Sequence, residues 1–290
     1  MSNTPHTFMN LKNGLLGLVL SIALTASHGS MPTYATDTTP TSETSPSASS
    51  LTLDGGSMGQ FQRWMQTIQN PQASQDTKGN AMYHIARAYE LGQGVEQDVL
   101  QAVAWYEKAL ALPIKTSKQI KTYKVVKGKK VSSIQTLNTM PLWYGQAALH
   151  LATLYIQGKG VVTPRLKESF ALLETASKVR LPEAWFLQGL AYMEGQGVNE
   201  NQEKGFQWIR KAAEAGYPDA TYKLAMCYAE GLGTTPNFQQ AYVWSMLATA
   251  LGVEPAQDMA EMLASHLTQT EVTQAQTWIR SWVERLHLFQ

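Results

Sequence analysis

The chain of 290 residues holds a single cysteine, Cys227. One thiol excludes an internal disulfide and any zinc site built on paired cysteines. Net charge is equally scarce: 23 lysines and arginines stand against 22 acidic residues, a formal +1. That balance gives no overall electrostatic case for nucleic-acid binding. Long apolar runs are missing too. The best candidate, Gly14 to Leu24, is about half the ~20 residues a membrane-spanning helix needs. It follows Lys12 and precedes the small residues of Thr25–Ser30, so residues 1–29 read as a cleavable secretory signal ending near Ser27-x-Gly29. The alternative is an uncleaved signal anchoring the chain to the inner membrane. No cysteine stands close behind the apolar run, which leaves a lipoprotein anchor without an attachment site. Residues 30–57 are rich in Ser, Thr, Pro and Gly. They have too few apolar side chains to offset the entropy of ordering, and read as a disordered linker. Residues 58–290 remain as the folded part.

What is present is a repeat. Aligning the chain on Tyr89, Tyr155, Tyr192 and Tyr228 brings four copies into register. Three residues after each tyrosine stands a Gly-x-Gly: Gly92/Gly94, Gly158/Gly160, Gly195/Gly197 and Gly231/Gly233. Eight residues before each stands an alanine, Ala81, Ala147, Ala184 and Ala220, and three before it a small residue, Ala86, Ala152, Gly189 and Ala225. Eleven residues after the second glycine comes Trp105, Trp208 or Trp244, with Leu172 in that role in the second copy after a one-residue insertion around Pro164. A period near 36 residues signals a repeat architecture. Within each copy, apolar residues recur at three- and four-residue intervals, as at Phe206, Ile209 and Ala213, which predicts two amphipathic helices. In the third copy these span roughly Glu183–Glu194 and Asn201–Ala215.

The glycines follow a helix and recur with the period, so they read as corners rather than as a phosphate cradle, which needs a preceding strand. The first suits the left-handed end of a helix and the second a tight reversal. The alanines let two helices approach, and the tyrosines and tryptophans are expected to supply most of the buried area.

The pattern A-x-x-x-[LI]-[AG]-x-x-Y-x-x-G-x-G-V followed by A-x-x-W-x-x-K-A resembles the Sel-1-like repeat family, relatives of the tetratricopeptide repeats. The stretches IARAYELGQGVEQDVLQAVAWYEKAL and GLAYMEGQGVNENQEKGFQWIRKAAEAGYPDA carry the resemblance most closely. It covers about 81–113, 147–182, 184–218 and 220–252, with Gln188 in an apolar slot and Thr234 in place of the usual valine. The resemblance implies an all-α, right-handed α/α superhelix, a solenoid of helix pairs, acting as a protein–protein interaction module without catalysis.

An array of this kind needs capped ends. Phe61, Trp64, Met65 and Ile68 form one apolar stripe and predict an N-terminal capping helix. Capping helices are also expected over 254–287: one over Ala256–His266, then one opened by the capping box Thr268–Glu271 and lined by Val272, Ala275, Ile279, Trp282 and Leu286. The insertion, 114–145, carries Lys115, Lys118, Lys121, Lys124, Lys127, Lys129 and Lys130 and no acidic residue. Its Tyr, Val and Gly around Thr122–Val131 predict a small β-hairpin. Without the signal the net charge is zero, so the insertion is a basic projection on an acidic solenoid. These lysines are the candidate partner-binding residues, suited to an acidic protein surface, a wall polymer or lipid headgroups.

Nothing else reads as chemistry. Gly55-Gly56-Ser57-Met58-Gly59 matches the nucleophile-elbow pattern but has no parallel sheet, acid or histidine to serve it. His84 and His150 share a repeat position, but two histidines without a carboxylate make a weak metal site. Cys227 aligns with Ala88, Leu154 and Ala191 and reads as a small core residue. No catalytic group, metal or cofactor is assigned. The expectation is an exported, periplasmic or secreted scaffold of the bacterial envelope that binds a protein along its concave surface, with no nucleic-acid partner and no transmembrane segment in the mature chain. The alternatives are a glycan- or peptidoglycan-binding module using Trp143 and Tyr144, or a cell-wall hydrolase or β-lactam-handling enzyme.

Overall fold

Three helices begin where Asp or Asn caps them, and four others end where glycine turns the chain. The computed structural model describes residues 55–114, 117–126, 129–138, 140–159 and 164–287, all within one compact unit spanning Thr52–Gln290. Among them are eleven helices: α1 Gly55–Gln69, α2 Gln75–Leu91, α3 Val99–Leu110, α4 Leu142–Gln157, α5 Leu166–Ser177, α6 Pro182–Glu194, α7 Gln202–Glu214, α8 Pro218–Glu230, α9 Phe238–Ala250, α10 Pro255–Ala264 and α11 Gln269–His287. The first helices of the four repeats are α2, α4, α6 and α8, and the second helices are α3, α5, α7 and α9. Each packs on its neighbour in sequence, which makes the unit an α/α solenoid. The signal segment 1–29, the linker as far as residue 54, and Lys115, Lys127 and Gly160 lie outside the described residues.

The motif glycines divide the work. Gly195 ends α6 at φ 69°, with its N–H donating to Ala191 O; this left-handed C-cap suits a residue without Cβ. Gly197 does more than tighten the turn. At φ 74°, a Cβ there would lie 2.0 Å from the carbonyl oxygen of Leu166, at the start of the preceding repeat's second helix. Gly94 against Ser57 and Gly233 against Gln202 repeat the approach. The second glycine is therefore where successive repeats touch. Asp98, Asn201 and Asn237 cap the helices that follow, each side chain accepting from the N–H three residues on, worth about 1 kcal/mol apiece. The second repeat has Arg165 at that position and no side-chain cap.

The small residues sit where expected. Ala81, Ala147, Ala184 and Ala220 are buried, and Gly189 lets α6 meet α7 so closely that a Cβ would stand 3.0 Å from Gly205 O. Tyr89, Tyr192 and Tyr228 stand edge-on to Phe61, Phe170 and Phe206, with ring centroids 5.6, 5.2 and 5.3 Å apart and planes at 86–88°. Each pair joins one repeat to the helix before it with the geometry that aromatic quadrupoles favour. In α3 the corresponding residue is Val103. There Tyr155 instead donates to Glu107 Oε1 at 2.5 Å and accepts from Arg165 at 3.1 Å.

The tryptophans correct the expectation. Trp244 is buried, but Trp105 and Trp208 are only half-buried, each beneath a lysine one turn on, Lys108 at 4.3 Å and Lys211 at 4.6 Å. The lysine stem and ammonium cover the ring, so it need not enter the core. Ile85, Leu173, Ile209, Leu224, Leu247 and Leu263 are fully buried instead, at about 1.5–3 kcal/mol each.

Both ends are capped. α1 begins at Gly55, inside the expected linker, and turns Phe61, Trp64, Met65 and Ile68 inward. The Gly55–Gly59 stretch thus lies in a helix and forms no strand-to-helix elbow. At the other end, Thr268 N–H donates to Glu271 at 2.8 Å and Glu271 N–H donates back at 3.3 Å, closing the capping box. Val272, Ala275 and Ile279 pack on the core; the side chains of Trp282 and Leu286 lie outside those described.

The insertion forms β1 Ser117–Val126 and β2 Lys129–Asn138, paired antiparallel from Ser117↔Asn138 to Val126↔Lys129. The hairpin is longer than the sequence suggested. The insertion is also shorter, because residues 142–145 already belong to α4.

Candidate functional site

The first helices carry a polar tract that crosses from repeat to repeat. It starts in α2, where Arg87 Nη1 pairs with Glu90 Oε2 at 3.0 Å. Tyr106 of α3 donates to the same carboxylate at 2.5 Å. Arg87 also reaches Nδ1 of His150 in α4 at 3.4 Å. The His150 ring is stacked on Tyr106, centroids 5.9 Å apart, and flanks Tyr83 at 6.1 Å. Burial first, then Arg87, lowers its pKa to about 4, against a smaller opposing effect of Glu90. The imidazole is therefore neutral, and its 3.8 Å approach to Glu90 is not an ion pair. The arrangement leaves Nδ1 to accept from the guanidinium. Burial and then Glu90 push the Tyr106 phenol well up, so it remains a donor.

The tract continues in α6 and α8. Burial, then the Asp219 carboxylate, raises the pKa of Glu183; Arg87 opposes and Glu90 adds a little. Burial raises Asp219 as well. Tyr217, ahead of α8 and 5.4 Å from Phe186 between ring centroids, is pushed up by burial and then by Glu183 and Asp219. Among the described residues neither Glu183 nor Asp219 makes an ion pair. Two half-buried carboxylates with no ion-pair partner among the described residues form a surface suited to a cationic group. In α10, Asp258 acts on Tyr222 of α8 and extends the row.

Sequence reasoning missed this tract. Its signal was the residue before each motif alanine: Asn80, Gln146, Glu183 and Asp219, polar in every copy. The candidates it did name are dispersed. His84 stacks on Trp64 at 5.0 Å while His150 lies in the Arg87–Glu90 network, and no cluster of three metal-ligating side chains occurs among the described residues. Cys227 is fully buried, and burial raises its thiol to about 12, as fits a core residue. Trp143 is no exposed platform: it is buried, its indole N–H donates to Asp76 at 2.7 Å, and its ring fills the space over Gly79. Tyr144 is half-buried and donates to Leu110 O at 3.0 Å. Of the insertion lysines, Lys118, Lys121, Lys124, Lys129 and Lys130 lie on the two strands, and Lys121 is exposed. No described helix is long and apolar enough to cross a membrane.

Comparison with known proteins agrees with this geometry. The Sel1 repeat model matches residues 79–113, 145–178, 187–217 and 218–253. The structure is similar to that of a protective antigen present in uropathogenic Escherichia coli strains and displaying an SLR fold, with a TM-score of 0.56 and 21% identity over 79% of this chain. The chain spans 46% of that antigen, less than half its length. It is also similar to a Sel1 repeat protein from Oxalobacter formigenes, with a TM-score of 0.50 and 21% identity over 71% of this chain and 69% of that one. Among curated proteins none matches.

Proposed function

This chain belongs to the Sel1-like repeat family, and from that premise we propose that it is a non-enzymatic scaffold or adaptor of the bacterial envelope. Exported through the 1–29 segment to the periplasm or beyond, it binds a protein partner along the concave, first-helix surface of the array. Sel1 repeats serve protein–protein interaction, and extended repeat surfaces suit that task. The observation that carries the reading is the unpaired carboxylate row. Glu183 and Asp219 are half-buried and form no ion pair among the described residues, a cost that a basic segment of a partner would relieve on docking. Catalysis has no support in this tract, whose histidine is stacked on Tyr106 and already hydrogen-bonded to Arg87.

Photo-crosslinking tests the reading. A photoreactive residue at position 183 or 219 is expected to give a discrete adduct with one envelope protein. The same residue at the exposed Gln207 of α7 is expected to give none. Adducts of equal yield from both surfaces, or from neither, would remove the case for this face. Fractionation of cells expressing the full chain tests export: recovery in the cytoplasm contradicts it.

A further inference from the structure

The β1–β2 hairpin stands apart from the helix pairs in its backbone packing. Among the described residues, each strand packs extensively only against the other. An isolated two-stranded ribbon is marginal in water and gains stability when one side is covered. The other three repeats pass between helices with no hairpin: α5 to α6, α7 to α8 and α9 to α10 are each joined by a few residues. The hairpin is thus dispensable to the solenoid and available to something else.

The charge distribution indicates what that is. Residues 114–181 hold twelve lysines and arginines against two acidic residues, a net +10. Residues 182–264, which include α6, α8 and α10, hold ten acidic residues against four basic ones, a net −6. Positive and negative charge are therefore separated along the chain: the insertion holds seven of those lysines and no acid, while α6, α8 and α10 carry Glu183, Asp219 and Asp258, with Lys223 of α8 one turn from Asp219. Two ribbons side by side would repel, with seven lysines in each insertion and no acid. The dimensions also match. A strand of ten residues is roughly 30 Å long, and α6, α8 and α10, at the spacing of about 8–10 Å that packed helices keep, would span roughly 20 Å. The ribbon is long enough to cross Glu183, Asp219 and Asp258 together.

We propose that the partner of the hairpin is a second copy of this chain, with the lysine-bearing ribbon of each copy laid across the acidic α6–α8–α10 face of the other. The exchange is reciprocal, so one two-fold axis satisfies both contacts and closes a dimer. It rests on the first-helix face being a docking surface, as above, but needs no other protein. Attraction between exposed charges is screened by salt, so the dimer is salt-sensitive.

The test uses purified chain in sedimentation velocity. Wild type is expected to dimerise at 20 mM salt and to weaken at least tenfold at 500 mM. Replacing residues 112–140 with an Ala-Gly-Tyr loop, as occurs at Ala215–Tyr217, is expected to leave the helical circular dichroism and abolish the dimer. Charge reversal is the sharper arm. A ribbon variant (Lys118→Glu, Lys124→Glu, Lys129→Glu, Lys130→Glu) and a face variant (Glu183→Lys, Asp219→Lys, Asp258→Lys) should each be monomeric, and should form a heterodimer when mixed. A monomeric wild type at low salt overturns the proposal. So does a dimer that survives loop replacement or high salt, or swapped variants that stay apart. If the face variant fails to fold, the ribbon variant and the loop replacement still decide. Crosslinking to an envelope partner at position 183 alongside a monomeric pure protein would sink this inference and leave the proposed function standing.

Discussion

Replacing Gly197 with alanine tests the repeat junction directly. Two costs combine there. The residue sits at φ 74°, where an L-residue pays about 1–2 kcal/mol. Alanine returns about 0.5 kcal/mol by restricting the unfolded chain. The second cost is the neighbour. The new Cβ would lie 2.0 Å from Leu166 O, 2.5 Å from its carbonyl carbon and 3.0 Å from Lys167 N. These are backbone atoms of α5, so no side chain can rotate away and the two repeats must separate. Overpacking of this kind costs about 1–3 kcal/mol, and the whole comes to roughly 2–4 kcal/mol. Gly216 is the control. Its φ is 82° with nothing within 4 Å of an added Cβ, so Gly216→Ala should cost about 1 kcal/mol from conformation alone. Urea denaturation followed by circular dichroism reads both. A shift for Gly197→Ala at least twice that for Gly216→Ala is expected. Equal shifts would mean that the close approach to α5 is not a structural constraint.

Arg180 is a non-glycine residue at φ 61°, in the junction where the next two repeats have Gly216 and Gly252. Arg180→Gly is expected to stabilise the protein by up to about 1 kcal/mol, the left-handed strain relieved minus the added unfolded-state freedom; a lower urea midpoint would contradict this. His150 should make stability depend on pH. Its folded pKa, about 4 rather than 6.5, lies below its unfolded value, so the unfolded chain takes up the proton first. Its contribution is complete above about pH 6.5 and falls as pH drops toward 4, by at most about 1.4 kcal/mol per unit. Arg87, Glu90, Tyr83 and Tyr106 surround the ring, and the raised Glu183 and Asp219 pull in the opposite sense. The stability gap between wild type and His150→Asn therefore isolates the histidine. It should narrow from pH 7 to pH 5, and a constant gap would refute the assignment.

The period, the helix pairs and both capped ends were legible because backbone demands recur at fixed spacing: glycine where φ is positive, alanine where helices touch. The hairpin was legible from its β-branched residues, and its full length was not, because strand ends depend on pairing. Phe61, Phe170 and Phe206 escaped notice as the edge partners of the tyrosines, since those contacts lie between neighbouring helices and not within the aligned motif. Glu183 and Asp219 look like ordinary polar helix positions until stacking brings consecutive first helices together. Trp143 was misread for the same reason: its burial depends on Gly79, in another repeat.

Cys227 lies fully buried in the fourth repeat, and its thiol is raised to about 12. A maleimide or disulfide reagent cannot reach it while that repeat is closed, and no other sulfhydryl in the chain competes. The labelling rate of the untouched protein is therefore a built-in clock for the breathing of one segment of the array. Any ligand that clamps α8 against its neighbours would slow that clock without the introduction of a single probe.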